Sequence, residues 1–335
     1  MAINVAINGF GRIGRLVLRG IIESGRKDIN VVAINDLGTN EANAHLLQYD
    51  SVHGTLPAKV RATRTGISVN GKGIKVFAKR DPATLPWDTL GVDVALECTG
   101  LFTTKESAGK HLEAGAKRVL VSAPASGADF TVVYGVNHAR LGKRHRIVSN
   151  ASCTTNCLAP VAQVLHKHCG IKRGYMTTIH AFTGDQNTVD SLHSDMRRAR
   201  AASLSMIPTS TGAAKAVGLV LPELVGKLDG TAIRVPTSNV SVVDLVFEAN
   251  KKTTAPAVNN AIAKAAGGRL KGVLGINDQP LVSIDFNHNP HSSMFDVTQT
   301  QVVGERLVRV LSWYDNEWGF ANRMSDTAVA MGKLG

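Results

Sequence analysis

The first 36 residues contain the pattern that constrains the fold most strongly. Residues 3–7, INVAI, form a short apolar run, and NGFGRIG follows with Gly9, Gly11 and Gly14 in G-x-G-x-x-G spacing. Apolar residues then recur at helical spacing, and a second apolar run ends at Asp36, 22 positions beyond Gly14. The glycines alone would indicate only a tight turn. Strand, glycines, helix, strand and acid in this order predict a dinucleotide-binding βαβ unit.

Each part of this unit is suited to bind a particular group of a dinucleotide. The glycines let the backbone approach a pyrophosphate closely, and the start of the helix offers N–H groups and a partial positive charge. Asp36 is placed to accept hydrogen bonds from the hydroxyls of the adenosine ribose. A carboxylate would repel a 2′-phosphate at that point, so the sequence favours NAD over NADP as the cofactor.

Strands and helices continue to alternate through the first half. Further elements are expected as strands at 92–100, 118–125 and 146–150, with a helix at 105–116. Such alternation is typical of a mostly parallel sheet, whose ligands bind outside the carboxyl ends of the strands. Gly100 and Ser122 follow two of these strands, and each either lines the cofactor cleft or is an ordinary loop residue.

The pattern changes after residue 170 to long, β-branched and partly alternating stretches. The expected strands are 174–182, 231–249, 297–304 and 305–316, and the expected helices are 211–224, 256–268 and a segment after Trp318. A chain of 335 residues is long for one core. We therefore predict an α/β chain: a Rossmann dinucleotide-binding domain at 1–150, joined by a C-terminal helix at 317–335, and an α+β catalytic domain with a large mixed or antiparallel sheet at 151–316.

The composition limits the cellular location and the kinds of partner that are expected for this chain. The chain has no apolar run of about 18 residues, and its N-terminus lacks the features of a signal peptide, so neither a membrane span nor export is expected. Four cysteines in such a chain predict reduced thiols in the cytoplasm. The formal charge is +12 and the basic residues are dispersed, which favours small anionic ligands and leaves contact with RNA open.

Cys153 lies in ASCTTNCLAP, where an expected strand passes into an expected helix. Its spacing to Cys157 matches neither the C-x-x-C redox motif nor a zinc knuckle, and HKHC at 166–169 is interpreted as a solvated helix end. No metal site is predicted. At a helix start the thiolate is stabilised, which lowers the thiol pKa and favours a nucleophile over a buried filler. Inert burial is expected for Cys98, Cys157 and Cys169.

Three features of the second half suit phosphate chemistry. His180, near the end of a strand, either assists the thiol or is a satisfied core histidine. Thr211 and Gly212 open an expected helix, whose N–H groups could hold an anion. Arg234 lies within an expected strand, where a guanidinium needs an acid or a phosphate as partner.

Several stretches along nearly the whole chain together resemble the phosphorylating glyceraldehyde-3-phosphate dehydrogenases, and SCTTNC is highly specific to that family. They are INGFGRIGR, VAIND, FAKRDP, LECTG, SNASCTTNCLAP, TTIHAFTGDQ, PTSTGAAKAVG, RVPTSNVSVVDL and WYDNEWGF. The resemblance implies oxidation of D-glyceraldehyde 3-phosphate to 1,3-bisphosphoglycerate with NAD and inorganic phosphate. Cys153 would form a hemithioacetal and then a thioester, and His180 would raise thiolate character and serve as the base.

The resemblance also implies site residues and an assembly. Cofactor contacts would come from Arg12, Ile13, Asp36, Arg80, Ser122 and Asn316. One phosphate pocket would use Thr183 and Arg234, and the other would use Ser152, Thr154, Thr211, Gly212 and an arginine of RRAR, taken as Arg198. The family is homotetrameric, and its loop around 183–207 would lie near the cofactor of a neighbouring subunit.

Some positions depart from the family pattern and keep alternatives open. Phe182 and Phe320 stand where many relatives have tyrosine, so a hydroxyl contact would be missing. DSLH at 190–193 lacks the Leu-Pro pair common in strictly NAD-using bacterial members, which leaves some NADP use open, although Leu37 beside Asp36 is of the NAD type.

Three other functions are less favoured by the sequence. An erythrose-4-phosphate dehydrogenase is the nearest alternative. An aspartate-semialdehyde dehydrogenase fits less well, because Asp36 opposes NADP and SCTTNC indicates another family. RNA binding through the cofactor groove is the non-enzymatic alternative; it would weaken with salt and compete with NAD.

Overall fold

The computed structural model describes residues 2–334. The chain forms two compact units: one comprises the residues up to Ser152 together with those from Ala321 onward, and the other is Cys153–Phe320. Each unit has its own large β-sheet. Among the helices of residues 2–334, none combines the length and apolar character needed to cross a membrane.

The first unit is built on a mostly parallel sheet. Its strands are β1 (Ile3–Asn8), β2 (Ile29–Asn35), β3 (Tyr49–Asp50), β4 (Gly54–Thr55), β5 (Val60–Thr63), β6 (Gly66–Val69), β7 (Lys72–Phe77), β8 (Val94–Glu97), β9 (Arg118–Val121), β10 (Phe130–Thr131) and β11 (Ile147–Ser149). Its helices are α1 (Arg12–Glu23), α2 (Asn40–Gln48) and α3 (Lys105–Glu113). Nine strands form one sheet in the order β10-β11-β9-β8-β1-β2-β7-β6-β5. All neighbours from β10 to β7 are parallel, and β6 and β5 extend the sheet as antiparallel strands.

The sequence of the central strands explains this arrangement. All of β8, VALE, is buried, and only one residue of β1 is not. A parallel sheet is covered on both faces, so its strands are continuous apolar runs rather than alternating ones. The predicted Rossmann-type domain is therefore confirmed, and its carboxyl-end groove lies where NGFG leaves β1 and α1 begins.

The second unit contains a mixed sheet. Its elements are α4 (Cys153–Cys169), β12 (Ile171–Ala181), β13 (Ile207–Ser210), α5 (Ala213–Val220), β14 (Leu228–Val235), β15 (Ser241–Ala249), α6 (Ala255–Gly267), β16 (Leu274–Asn277), β17 (Ser293–Asp296), β18 (Gln301–Val303) and β19 (Leu307–Tyr314). The strand order is β13-β14-β12-β15-β19-β17-β16, with β18 on β19. Helix α7 (Trp318–Gly332) starts in this unit and continues in the first. The predicted large mixed sheet is confirmed.

One predicted strand, 231–249, is wrong as a single element. The structure divides it into β14 and β15, because Pro236 lacks the N–H that a continuing strand needs and Val240 has a φ of +66°. The break lets both segments pair with β12: β14 runs parallel to it and β15 antiparallel. The parallel register sets His180 directly beside Arg234.

Candidate active site

The groove at the carboxyl end of β1 is shaped by two glycines. Gly9 has a φ of +90°, and a Cβ there would lie 2.7 Å from the backbone nitrogen of Thr99. A Cβ on Gly14 would lie 2.1 Å from the carbonyl oxygen of Gly9. Neither position accepts a side chain without movement of the backbone. Gly11 differs, because a Cβ there would meet nothing within 4 Å; this glycine borders open space before α1.

Asp36 closes the other side of this groove. Its Oδ2 accepts a hydrogen bond from the Phe10 N–H at 2.8 Å, and its Oδ1 accepts one from the Gly38 N–H at 2.8 Å. The two bonds fix the carboxylate just beyond β2, and its remaining lone pairs can accept from hydroxyl groups. The groove has a volume of about 350 Å³, and Gly9, Gly11, Asp36 and Arg80 are among its lining residues.

This groove fits a dinucleotide. Open space at Gly11 and the start of α1, where no described side chain forms a cap, suit a pyrophosphate, and the fixed carboxylate of Asp36 suits a ribose. Arg12, predicted to contact the cofactor, has both terminal nitrogens of its guanidinium paired with Asp50. The other residues predicted to contact a cofactor here, Ile13, Gly100 and Ser122, are half-buried or exposed.

A buried network below the groove was missed by the sequence analysis. Glu97 accepts hydrogen bonds from the Thr99 N–H at 2.7 Å and from the side-chain amide of Asn8 at 2.5 Å. His111 Nε2 lies 3.0 Å from the same carboxylate, while its Nδ1 faces the indole N–H of Trp87 at 3.0 Å. Because the indole can only donate, Nδ1 accepts and Nε2–H donates to Glu97. The network fixes Thr99 against Gly9. In the sequence, this network was indicated only by Glu97, the acid that ends the apolar run VALE.

The predicted nucleophile and base of the second unit lie side by side. Cys153 begins α4, and its Sγ is 3.5 Å from Nε2 of His180, near the end of β12. His180 is only 3% exposed and its ring packs edge-on against Tyr314. On its other side, His180 Nδ1 lies 2.7 Å from Nη1 of Arg234, which also donates to the Ala181 carbonyl at 3.0 Å.

The ionisation of this pair differs from the sequence-based expectation. Burial raises the pKa of the Cys153 thiol, although the charge of Arg234 and hydrogen bonds from Thr154 act in the opposite direction. The direction is opposite to the lowering expected at a helix start, because desolvation outweighs the helix terminus. Burial, and then the charge of Arg234, lower the pKa of His180 to about 3. Burial thus favours the uncharged form of both side chains.

Two groups of residues predicted to bind phosphate share one acid. Asp185 accepts a hydrogen bond from the Thr183 hydroxyl and one from Nη1 of Arg198 at 2.8 Å. Nε of Arg198 donates to the Thr209 hydroxyl at 3.0 Å. Asp185 was missed by the sequence analysis, although it stands in TGDQ. It joins a residue from each proposed phosphate pocket.

The other residues predicted to bind phosphate differ in their exposure and in their hydrogen-bond partners. Gly212 is the N-cap of α5 and is open to solvent, and the Thr211 hydroxyl accepts from the N–H of Ala213 at 3.2 Å. Thr154 is buried, with its hydroxyl 2.8 Å from that of Tyr314, so its backbone is the part suited to an anion. Ser152 precedes Cys153 directly in the chain.

Asn316 and the other cysteines complete the predicted set. The Ser241 hydroxyl donates to Oδ1 of Asn316 at 2.8 Å, which leaves the amide nitrogen to donate elsewhere. Cys157 and Cys169 are buried as predicted, and Cys98 is only half-buried.

The expected solvated end at 166–169 is wrong in part. Cys169 is buried, His166 accepts from the Ile171 N–H, and His168 bonds the Thr253 hydroxyl.

Comparison with known proteins identifies the family. The model "Glyceraldehyde 3-phosphate dehydrogenase, NAD binding domain" matches residues 3–105, and "Glyceraldehyde 3-phosphate dehydrogenase, C-terminal domain" matches residues 152–316. The chain belongs to the glyceraldehyde-3-phosphate dehydrogenase family. The glyceraldehyde-3-phosphate dehydrogenase of Xanthobacter flavus is 68% identical over 335 residues, and that of Cereibacter sphaeroides is 69% identical over 334, each with 100% of both chains covered. The one from Geobacillus stearothermophilus is 55% identical over 336 residues, again with full coverage.

Membership of this glyceraldehyde-3-phosphate dehydrogenase family confirms the resemblance found in the sequence. The chain is an NAD-dependent oxidoreductase, and NAD is its cofactor. The groove between Gly11 and Asp36 lies within the part of the chain that matches the NAD-binding model.

The lowered pKa of His180 predicts how the stability of this family member depends on pH. An unfolded histidine has a pKa of about 6.5, so below that pH the unfolded chain binds a proton that folded His180 refuses. Stability is therefore retained above pH 6.5 and lost as the pH falls toward 3. At pH 5 the loss from this residue is about 2 kcal/mol. His180→Asn should show a correspondingly smaller change in the free energy of unfolding between pH 7 and pH 5, measured with urea.

A matched control is His45→Asn, which replaces an exposed histidine in α2. Its free energy of unfolding should fall between pH 7 and pH 5 by as much as that of the wild type. An equal pH dependence in the His180→Asn variant would contradict a neutral, buried His180.

Proposed function

We propose that this chain oxidises D-glyceraldehyde 3-phosphate to 1,3-bisphosphoglycerate with NAD and inorganic phosphate, the phosphorylating oxidation of glycolysis. The observation that carries the proposal is the Cys153–His180 pair, with 3.5 Å between Sγ and Nε2 at the start of α4. The full-length relatives named glyceraldehyde-3-phosphate dehydrogenase support the choice of substrate.

In the proposed mechanism, Cys153 is the nucleophile and His180 the base. As sulfur bonds to the aldehyde carbon, Nε2 takes the thiol proton and the carbonyl oxygen gains a negative charge. N–H groups at the start of α4 stabilise that oxyanion. NAD, when bound, accepts the hydride whose loss turns the adduct into a thioester. An oxygen of inorganic phosphate then bonds to the acyl carbon and its proton passes to water. The C–S bond breaks, the sulfur of Cys153 takes back the proton held on Nε2, and the acyl phosphate leaves.

The phosphates need cationic and hydroxyl groups around this pair. We assign the phosphate of the substrate to Thr183 and Arg234, and the inorganic phosphate to Arg198, Thr211 and Gly212 with the Ser152–Thr154 segment. Arg234 is already beside His180, at 2.7 Å from its Nδ1. Arginine binds phosphate in a planar two-pronged arrangement, which suits this role better than lysine would.

NAD would be held by the glycines and the acid of the first unit. The open space at Gly11 would take the pyrophosphate, and Asp36 would take the adenosine ribose. Asn316 is the candidate for the nicotinamide amide, since Ser241 fixes its orientation.

A substrate comparison tests this proposal. The value of kcat/KM should be at least about tenfold higher for glyceraldehyde 3-phosphate than for erythrose 4-phosphate, a difference of about 1.4 kcal/mol in activation free energy. Formation of NADH should require inorganic phosphate for repeated turnover. A preference for erythrose 4-phosphate would instead establish the alternative dehydrogenase, and equal rates with NADP would remove the assigned role of Asp36.

We also propose that the chain acts in the cytoplasm as a homotetramer. Segment 183–207 supports self-association, because its exposed fractions reach 100% at Leu192, 80% at Met196 and 84% at Leu204. Apolar side chains clustered in this way commonly mark an interface. RNA binding through the NAD groove stays a secondary prediction, and it fails if saturating NAD does not displace bound RNA.

A further inference from the structure

Glu97, the last residue of β8, is a buried carboxylate without a cationic partner. It is only 1% exposed. Its Oε1 accepts hydrogen bonds from the Thr99 N–H at 2.7 Å and from the Thr99 hydroxyl. Its Oε2 lies 2.5 Å from the amide nitrogen of Asn8 and 3.0 Å from Nε2 of His111. Its one ion-pair contact within residues 2–334 is with His111, so no lysine or arginine neutralises it.

Both groups that face Oε2 donate to it. On one side, the N–H of Lys79 donates to Oδ1 of Asn35 at 2.9 Å, and the amide nitrogen of Asn35 donates to Oδ1 of Asn8 at 2.7 Å. This orients the amide of Asn8 with its nitrogen toward Glu97. On the other side, Nδ1 of His111 accepts from an indole N–H, so its Nε2–H donates to Glu97. Since all four groups around the carboxyl are donors, the side chain is ionised and carries a full negative charge.

The negative charge of Glu97 lies against the wall of the cofactor groove. Its hydrogen-bond partners Asn8 and Thr99 line that groove, and so does Cys98, the next residue in the chain. Burial, and then the charge of Glu97, raise the pKa of the Cys98 thiol, so the charge acts at this wall. Charges in a protein interior are weakly screened, and the field of Glu97 therefore extends into the groove.

The nicotinamide half of NAD belongs on this side of the groove. We place the adenosine ribose at Asp36, which follows β2, and the pyrophosphate at Gly11. Strands β2 and β8 flank β1 on opposite sides. Because a dinucleotide lies across the carboxyl ends of the strands, the nicotinamide half extends toward β8, which Glu97 ends. The nicotinamide ring is positively charged in NAD⁺ and neutral in NADH, whereas the rest of the cofactor has the same charge in both forms.

We propose that the buried charge of Glu97 makes the groove prefer NAD⁺ to NADH. The carboxylate attracts the cationic nicotinamide ring, and this attraction is lost once the ring has accepted a hydride. It repels the pyrophosphate equally in both forms, so the difference falls on the ring alone. Glu97 thus determines specificity through its field rather than by contact. The inference rests on the proposed function, which gives NAD this orientation in the groove.

The ratio of two dissociation constants tests this proposal. NAD⁺ and NADH are titrated calorimetrically into the full-length wild type and into Glu97→Gln, which replaces the charge with a neutral amide of the same size. The ratio Kd(NADH)/Kd(NAD⁺) should fall by about fivefold in Glu97→Gln, which corresponds to about 1 kcal/mol. Damage to the groove alone would weaken both forms and leave the ratio unchanged. A ratio that stays the same or rises would therefore overturn the proposal.

Glu97→Asp is the matched control at the same position. It keeps the negative charge but withdraws the carboxylate from its four donors by one methylene group. Both forms of the cofactor should bind less tightly, and the ratio should stay within about twofold of the wild type. A fall equal to that in Glu97→Gln would mean that hydrogen-bond geometry, and not charge, sets the ratio, and would refute the proposal.

A second pair of variants covers the case in which Glu97→Gln fails to fold. The new amide N–H would face the N–H groups of Asn8 and His111, and His111 cannot become an acceptor there while Trp87 donates to its Nδ1. Trp87→Phe removes that donor, so the ring proton can move to Nδ1 and Nε2 can accept from the amide. The same fall of about fivefold is expected from Trp87→Phe to the double variant Glu97→Gln/Trp87→Phe. Equal ratios in these two proteins would contradict the proposal.

Gly11→Ala tests the placement of NAD separately. Its methyl group would enter the open space assigned to the pyrophosphate and should weaken the binding of both forms alike. If it does so while Glu97→Gln leaves the ratio unchanged, only this inference fails. If Gly11→Ala leaves both affinities unchanged, the placement of NAD and this inference fail together. Turnover of glyceraldehyde 3-phosphate tests the catalytic part of the proposed function independently of both.

Discussion

Replacing Cys153 with serine should abolish phosphorylating oxidation while NAD still binds. The serine hydroxyl would occupy the same place beside Nε2 of His180, but an alcohol is a far weaker acid and nucleophile than a thiol. An ester would also release its alkoxide to phosphate less readily than a thioester releases sulfur. The expected loss in kcat is at least about 1000-fold, or about 4 kcal/mol of transition-state stabilisation. Initial rates of NADH formation and calorimetric titration with NAD would measure the two properties.

Cys157→Ser is the matched control for this variant. Cys157 stands four positions further along the same helix, is fully buried, and has its Sγ 3.4 Å from the Ser293 hydroxyl. Burial raises the pKa of Cys157 to about 12, so this thiol is not a nucleophile at neutral pH. The control should keep NADH formation at a rate near that of the wild type. Substantial turnover by Cys153→Ser would remove the thioester from the mechanism.

Much of the fold could be predicted because its determinants are local. The glycines at 9, 11 and 14 and the apolar runs around them define the first βαβ unit within 36 residues. The strand break at Pro236 could also have been found from the sequence, since proline is excluded from the interior of a central strand. The pairing of β12 with β14 on one side and β15 on the other could not, because it joins residues more than 50 positions apart.

In the candidate site, too, some features follow from the local sequence and others only from the tertiary structure. The position of Cys153 at a helix start follows from local spacing, and α4 does begin there. The direction of the pKa shift of Cys153 could not be predicted from local spacing. Burial of the thiol depends on segments distant in sequence, and desolvation outweighs the helix terminus. Asp185 and Glu97 were missed for a related reason: each is defined by the donors that tertiary structure brings to it.

Replacing Gly14 with alanine should destabilise the first unit and remove NAD binding. The new Cβ would lie 2.1 Å from the carbonyl oxygen of Gly9 and 3.0 Å from Cγ2 of Ile7. The nearer contact is with backbone, which cannot rotate away, so α1 must shift relative to the end of β1. Overpacking of this kind costs about 3 kcal/mol or more. Thermal unfolding should show a lowered midpoint, and calorimetry should show NAD affinity below detection.

Gly11→Ala separates the need for close packing from the need for space for the cofactor. Its Cβ would meet no protein atom within 4 Å, and the φ of −71° at Gly11 is accessible to alanine, so the midpoint of unfolding should stay near that of the wild type. The same methyl group would project into the space assigned to the pyrophosphate and should weaken NAD binding by at least about tenfold, or 1.4 kcal/mol. Unchanged NAD affinity in Gly11→Ala would place the pyrophosphate elsewhere, whereas an equal loss of stability in both variants would mean that Gly11, too, is required by the fold.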